Sequence, residues 1–307
     1  MPQRTLRIGS RASRLARAQA DMVAGLLTRA GLACEIVLIK TTGDRILDRS
    51  LADAGGKGLF VKELEEALLA EHIDIAVHSM KDVPVALPEG LTLAAILPRE
   101  DPEDVFLSAQ AGSLKALAPG ARLGTSSVRR KAQVLRARPD LNCVLLRGNV
   151  DTRLAKLDGG EMEAIILARA GLNRLGLAAR ATDILTTEEW LPSLAQGAVG
   201  IEIRDGDARA AAAVTPLEDP VTAIELACER AFQGALDGSC RTPIAGLARL
   251  IKGQLSFRGE VLAPDGSDWA ATAFTITLEQ NGKFDADRAG REAGAALKPR
   301  VAGWLTL

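Results

Sequence analysis

ARLGTSSVRRKAQVLRARPDLNCVLLRGNVDTRLAKLDGGEMEAIILARAG, Ala121 to Gly171, is the stretch that decides the fold class. Three short β-rich runs, Arg122 to Gly124, Cys143 to Leu146 and Ala164 to Leu167, alternate with two helical patterns, Val128 to Arg138 and Val150 to Leu157. Such alternation marks βαβ units around a mostly parallel sheet. Each strand runs into a turn of small or polar residues: Gly124-Thr125-Ser126-Ser127, Arg147-Gly148-Asn149 and Ala168-Arg169-Ala170-Gly171. Ligands of parallel α/β sheets lie beyond these carboxyl ends. The first turn opens a helix, where backbone amides and hydroxyls make an anion site, and Arg129 and Arg130 follow at once. An ordinary N-cap with a solvated basic face would read the same way.

Upstream the pattern repeats. Leu6 to Gly9 reads as a strand, Ser13 to Ala30 as a helix closed by Gly31, and Cys34 to Lys40 as a second strand. A helix over Phe60 to Ala70 and a buried strand over Asp74 to Val77 follow. Their ends carry Gly9-Ser10-Arg11-Ala12-Ser13 and His78-Ser79-Met80-Lys81-Asp82. The charged, Pro-bearing segment Pro98 to Asp104 reads as a crossover, and Leu191 to Gly197 as a second interruption. The strand Val199 to Ile203 has no new domain around it and should return to the first sheet. From Pro220 a helix, three strands and a closing helix read as a small α+β domain with an antiparallel sheet. The expected domains are 1–98 with 198–216, 103–192, and 220–307.

The chain has 307 residues, 47% hydrophobic and 25% charged, with a net charge of −1. Nothing global points to nucleic acid or a membrane surface. The longest apolar run, Leu91 to Leu97, is too short to span a bilayer, and no signal peptide is evident, so a cytoplasmic protein is expected. Between Arg122 and Arg153 eight Lys or Arg stand against two Asp, a local basic region suited to a small anion. His72 and His78 and the four cysteines match no zinc spacing, and no metal is expected.

Convergent arginines clamp carboxylates bidentately, so the strand ends predict a cleft between two lobes for a ligand bearing several of them. Asp82, beside Lys81, is either a surface ion-pair residue or a lone carboxylate aimed at developing positive charge. Cys34, Cys143 and Cys228 fit core positions. Cys240, in Asp237-Gly238-Ser239-Cys240-Arg241-Thr242-Pro243, sits in a turn-rich loop with an adjacent arginine and reads as a reactive or modified thiol. Gly55-Gly56-Lys57-Gly58 fails the Walker pattern because Leu59 follows. The segment Gly43 to Gly58 has the length and the glycines of a lid, with Lys57 able to swing toward a carboxylate.

Taken in order, Ile8-Gly9-Ser10-Arg11, Gly55 to Phe60, His78 to Pro84, Gly124 to Arg130, Leu146 to Val150, Gln196-Gly197-Ala198 and the Cys240 loop resemble the porphobilinogen deaminase family along nearly the whole chain. The resemblance implies two α/β domains like those of type II periplasmic binding proteins and a third domain carrying the cofactor. It implies a dipyrromethane held by a thioether to Cys240, and Asp82 as the catalytic carboxylate. Arg11, Ser13, Lys81, Thr125, Ser127, Arg129, Arg130, Arg147 and Arg153 would bind acetate and propionate groups. Ser79, Gly148, Asn149, Ala168, Gly171 and Gln196 would lie near cofactor or substrate. The implied reaction is a transferase one: four porphobilinogen molecules are condensed head to tail with loss of ammonia, and hydroxymethylbilane is released by hydrolysis. A monomer is expected. Ala195 stands where the family often has Gly, which bears on the local loop geometry.

Two rivals use the same residues. A non-catalytic small-anion binding protein could share the two-lobed scaffold, since a fold does not fix function, but it would not need the Cys240 loop. A cysteine hydrolase would need a histidine within reach of Cys240, and only His72 and His78 are available.

Overall fold

The computed structural model describes residues 5–45, 58–237, 242–279 and 282–305. Packing divides them into two units. One gathers the described residues of Met1–Ile46 and Gly56–Glu100 with Gly197–Ala223, and the other gathers Asp101–Gln196 with those of Ile224–Leu307.

The first unit is built on a sheet of order β2-β1-β3-β10-β4. Strand β1 (Leu6–Arg11) leads to helix α1 (Arg14–Arg29), β2 (Cys34–Ile39), the single turn α2 (Thr42–Arg45), α3 (Lys62–Leu69), β3 (Ile75–Ser79) and β4 (Leu91–Ile96). Strand β1 is parallel to β2 and β3. The alternation of β1 and β3 sends Ile8, Ile75 and Val77 into a core with Ala20, Val23 and Leu27 of α1. On the opposite face Ala76 meets Leu64 and Leu68 of α3. Ser13 caps α1 by accepting from the Ala16 amide at 3.3 Å.

Strand β10 (Val199–Arg204) is antiparallel to both β3 and β4, so the chain does return to the first sheet as its sequence led one to expect. Helix α7 (Ala208–Val214) then packs Ala210 and Val214 on the α1 side. Strand β4 coincides with the apolar run at Leu91, whose length alone identified no element.

The second unit repeats this plan in the order β7-β6-β8-β5-β9. Its elements are β5 (Asp104–Leu107), β6 (Arg122–Thr125), α4 (Val128–Ala137), β7 (Asn142–Leu145), α5 (Val150–Asp158), β8 (Ala164–Ala168), α6 (Arg169–Arg174) and β9 (Asp183–Leu185). Strands β6, β7 and β8 are parallel, whereas β5 runs antiparallel to β8 and β9. The crossover segment therefore ends one residue earlier than its composition suggests, because Asp104 already pairs with Ala168.

The chain finishes with α8 (Pro220–Ala235), the antiparallel meander β11 (Ile244–Ile251), β12 (Gln254–Leu262) and β13 (Trp269–Thr277), and α9 (Gly282–Leu305). This is the expected α+β layer. Its sheet is separate, yet it packs as one unit with the second α/β sheet. Gln133 Nε2 and Arg136 Nη1 of α4 donate to Glu260 of β12 at 2.9 and 2.7 Å. Two five-stranded α/β sheets and a small α+β layer thus make up the described chain.

Candidate active site

In the first unit the C-terminal ends of β1 and β3 lie side by side and supply a pocket. The end of β1 presents Arg11, and the end of β3 presents Ser79 followed by a 3₁₀ turn, Met80–Asp82, that carries Lys81 and Asp82. The turn is anchored where the Met80 amide donates to the Ala198 carbonyl at 3.0 Å. Asp82 Oδ2 lies 4.0 Å from Arg11 Nη1, and its side chain is 30% exposed, so the carboxylate is open to a ligand. The Arg11 guanidinium stacks 4.1 Å above the Phe60 ring, which fixes its plane. Phe60 therefore forms part of the pocket wall. Ser79 Oγ exchanges hydrogen bonds with the Gln19 amide at 2.9 and 3.2 Å, and Ser13 lines the pocket while capping α1.

Behind this pocket is a buried group of acids that sequence patterns did not single out. His78 Nε2 lies 3.0 Å from Glu202 Oε2, with both side chains almost wholly enclosed. Glu65 of α3 is buried as well, and among the described residues the Oε1 atoms of Glu65 and Glu202 have no hydrogen-bond partner. Burial pushes the Glu65 carboxyl up to about 7; the Glu202 charge acts the same way and His78 opposes it.

The second unit collects the other expected residues at the ends of β6, β7 and β8. Ser127 caps α4 by accepting from the Arg130 amide at 3.3 Å, and Thr125 Oγ1 accepts from the Ser127 amide at 3.1 Å. Both hydroxyls keep their O–H for donation. Arg147 follows β7 and is buried, which lowers its guanidinium from the ordinary arginine value. Gly148 has φ +111, and a Cβ there would stand 2.7 Å from Thr152, so only glycine suits this turn. Asn149 caps α5, accepting from the Thr152 amide at 2.9 Å. Arg153 joins two loops: its Nε donates to the Gly148 carbonyl at 2.8 Å and its Nη2 reaches Ser126 Oγ at 3.4 Å. Ala168 ends β8 at the N-cap position of α6, and Gly171 is buried within that helix.

Arg129 and Arg130 do not form a solvated basic face. Both are buried and both bond Asp104, Arg129 Nη1 to Oδ2 at 2.8 Å and Arg130 Nη2 to Oδ1 at 2.7 Å. Gln196, also buried, donates to Asp104 Oδ1 at 2.8 Å and to the Pro102 carbonyl at 2.7 Å. Burial alone would raise the Asp104 carboxyl, but the two guanidiniums outweigh it and hold it well below the usual carboxylate range. Ala195, just before Gln196, sits at φ 59. This left-handed conformation accounts for a preference for glycine there.

Cys240 and Lys57, and with them most of the expected lid, lie outside the described residues. Cys34 and Cys143 are half-buried and Cys228 is buried, and burial raises all three thiols. Among the described residues no group of three His, Cys, Asp or Glu is placed to hold a metal ion, and no helix is long and apolar enough to cross a membrane.

Residues 6–212 match the family model described as porphobilinogen deaminase, dipyromethane cofactor binding domain, and residues 223–298 match porphobilinogen deaminase, C-terminal domain. The chain is 52% identical over 298 residues to a porphobilinogen deaminase of Nitrobacter winogradskyi, covering 96% of this chain and 93% of the relative. It is 53% identical over 302 residues to one of Paracoccus denitrificans, covering 93% and 96%. Solved structures with a similar course include a periplasmic substrate-binding protein of an ABC transporter from Coxiella burnetii, 15% identical with TM-score 0.45 over 71% of this chain and 94% of that one. A nutrient binding protein from Burkholderia cenocepacia bound to methionine is 14% identical with TM-score 0.44, over 70% and 92%.

Proposed function

This chain belongs to the porphobilinogen deaminase family, and from that premise we propose that it joins four porphobilinogen molecules head to tail, with loss of ammonia, and releases hydroxymethylbilane. It is a transferase. The observation that carries the assignment of residues is a contrast of charge. Asp82 is a part-exposed carboxylate at one set of strand ends, while the other set carries Arg129, Arg130, Arg147 and Arg153.

The cations fit a dipyrromethane bearing several carboxylates. Among the described residues the buried Nε atoms of Arg129 and Arg130 have no hydrogen-bond partner, a state that a bound anion would relieve. When bound, this group supplies the pyrrole carbon to which the first substrate is joined. Cys240 is the proposed point of attachment. The hydroxyls of Thr125 and Ser127, with Arg147 and Arg153, would orient acidic side chains. Arg11, Ser13, Ser79 and Lys81 would do the same around the Asp82 pocket. Gly148, Asn149, Ala168 and Gly171 would shape the turns through which the ligand approaches.

Asp82 has the chemistry the reaction requires. Losing ammonia leaves the substrate pyrrole with positive charge, which a fixed carboxylate stabilises, and that carboxylate can accept pyrrole N–H donors. Arg11, stacked on Phe60, steadies Asp82 from 4.0 Å without neutralising it by close contact. A non-catalytic anion binder has no use for an open carboxylate among cations, and the matched relatives speak for the enzyme. The proposed setting is the cytoplasm, with the chain acting as a monomer.

Intact mass spectrometry tests attachment. The purified chain should exceed its sequence mass by one dipyrromethane, Cys240→Ser should lose the addition and Cys34→Ser should keep it. An active wild type without added mass would overturn the assignment. For Asp82→Asn carrying the full addition, single-turnover ammonia release should slow by about 100-fold, the scale for losing such an electrostatic group. A wild-type rate would remove Asp82 from the chemistry.

A further inference from the structure

Asp104 opens β5 and is fully buried. Each of its oxygens accepts two hydrogen bonds. Oδ1 takes Arg130 Nη2 at 2.7 Å and Gln196 Nε2 at 2.8 Å, and Oδ2 takes Arg129 Nη1 at 2.8 Å and Trp190 Nε1 at 2.9 Å. The donors come from α4, from the turn after β9 and from the segment leading back to β10. One carboxylate thereby ties together four side chains from three separate segments.

The charges do not cancel. Two buried guanidiniums meet one carboxylate. Glu260, whose field also reaches Arg129, is matched by Arg136 at 2.7 Å. The other hydrogen bonds of the two guanidiniums to described residues go to neutral groups: Arg129 to Gln133 Oε1 and the Leu191 carbonyl, and Arg130 to the Ile166 carbonyl. Among the described residues one positive charge is left over, and the buried Nε of each arginine has no hydrogen-bond partner there. An uncompensated buried charge is costly, so such a cluster favours a single added anion.

We propose that Asp104 is a positioning residue for anion recognition: it holds Arg129 and Arg130 in fixed orientations and sets their cluster to take one carboxylate. The identity of the ligand rests on the tetrapyrrole function proposed above, whereas its sign and number follow from the cluster alone.

The test uses the full chain with Cys240→Ser as parent, so that added inorganic sulfate meets the cluster without an attached group. Melting temperatures are compared with and without sulfate, with chloride at matched ionic strength. The parent should be stabilised by sulfate. Asp104→Asn should lower the melting temperature yet make the sulfate-induced rise about twofold larger, as tighter binding to the native state requires. Arg129→Gln should lose the response, and Asp104→Asn/Arg129→Gln should regain it, because the balance of one positive charge is restored.

A purely structural Asp104 predicts lower melting with the parental sulfate response. The proposal is overturned by a parent indifferent to sulfate, by equal responses in Asp104→Asn and parent, or by a double variant no better than Arg129→Gln. Should Asp104→Asn not fold, the last comparison still decides. A wild type without dipyrromethane mass would remove the tetrapyrrole reading and leave these sulfate results intact. Responses that ignore the charge balance would remove this inference alone.

Discussion

Replacing Glu65 by Gln should raise stability at pH 8 relative to wild type while giving no such gain at pH 5. Glu65 is 8% exposed, on the face of α3 that packs against β3 and β10, where His78 and Glu202 lie; Glu66 adds a further negative charge from α3 itself. Its carboxyl is raised from 4.5 to about 7, chiefly by burial. Below pH 4.5 both folded and unfolded chains hold the proton and the site contributes nothing to pH dependence. Between 4.5 and 7 the unfolded chain has released it and the folded one has not, so the folded state binds more protons and stability falls as pH rises. Above 7 the penalty is complete. A full rise of that size is worth at most about 3 kcal/mol, and relaxation with water access reduces it to about 1–2 kcal/mol. Gln keeps the shape and removes the titration. Urea midpoints at pH 5, 6, 7 and 8 should therefore show the variant gaining on wild type by about 1–2 kcal/mol across the series. Parallel curves would refute a raised Glu65.

Two further outcomes follow from backbone geometry. A Cβ at Gly290 of α9 would stand 2.1 Å from the Cys228 carbonyl oxygen of α8, a backbone atom that cannot swing aside, so Gly290→Ala should cost about 2–3 kcal/mol, read as a lower thermal midpoint. Ala195→Gly should relieve the left-handed strain at φ 59 and leave stability unchanged or up to about 1 kcal/mol higher by urea titration, and a clear loss would show that the methyl group matters more than the backbone.

Much of the fold was legible because its signals are local. Ser13, Ser127 and Asn149 each cap the helix they precede, so strand, turn and helix boundaries could be read within a residue or two. Gly31, at φ +84, closes α1 where the pattern stops. The return of β10 to the first sheet was readable from how little chain surrounds it. Strands β4 and β5 were not. The first is an apolar run without alternation, which periodicity cannot assign. The second begins in a segment whose acids and prolines have the composition of a linker, and only its antiparallel pairing with β8 makes Asp104 part of a sheet.

The candidate site divides along the same line. Turns after parallel strands announce themselves, and they supplied Arg11, Asp82, the Thr125 to Arg130 loop and the Arg147 to Arg153 loop. What a turn does not announce is the charge that faces it from elsewhere. Arg129 and Asp104 are 25 positions apart, Gln196 and Asp104 are 92, and His78 and Glu202 are 124. Two adjacent arginines after a helix cap suggest a clamp with two positive charges open to a ligand. Once Asp104 is placed on β5, the same arginines form a preset cluster with one charge to spare. The distinction changes what the loop can bind, because a cluster with one uncompensated charge is satisfied by one carboxylate and disfavours a second. On the proposed function, a ligand with several carboxylates would then spread them over separate cations, and Arg147 and Arg153 stand at the same strand ends.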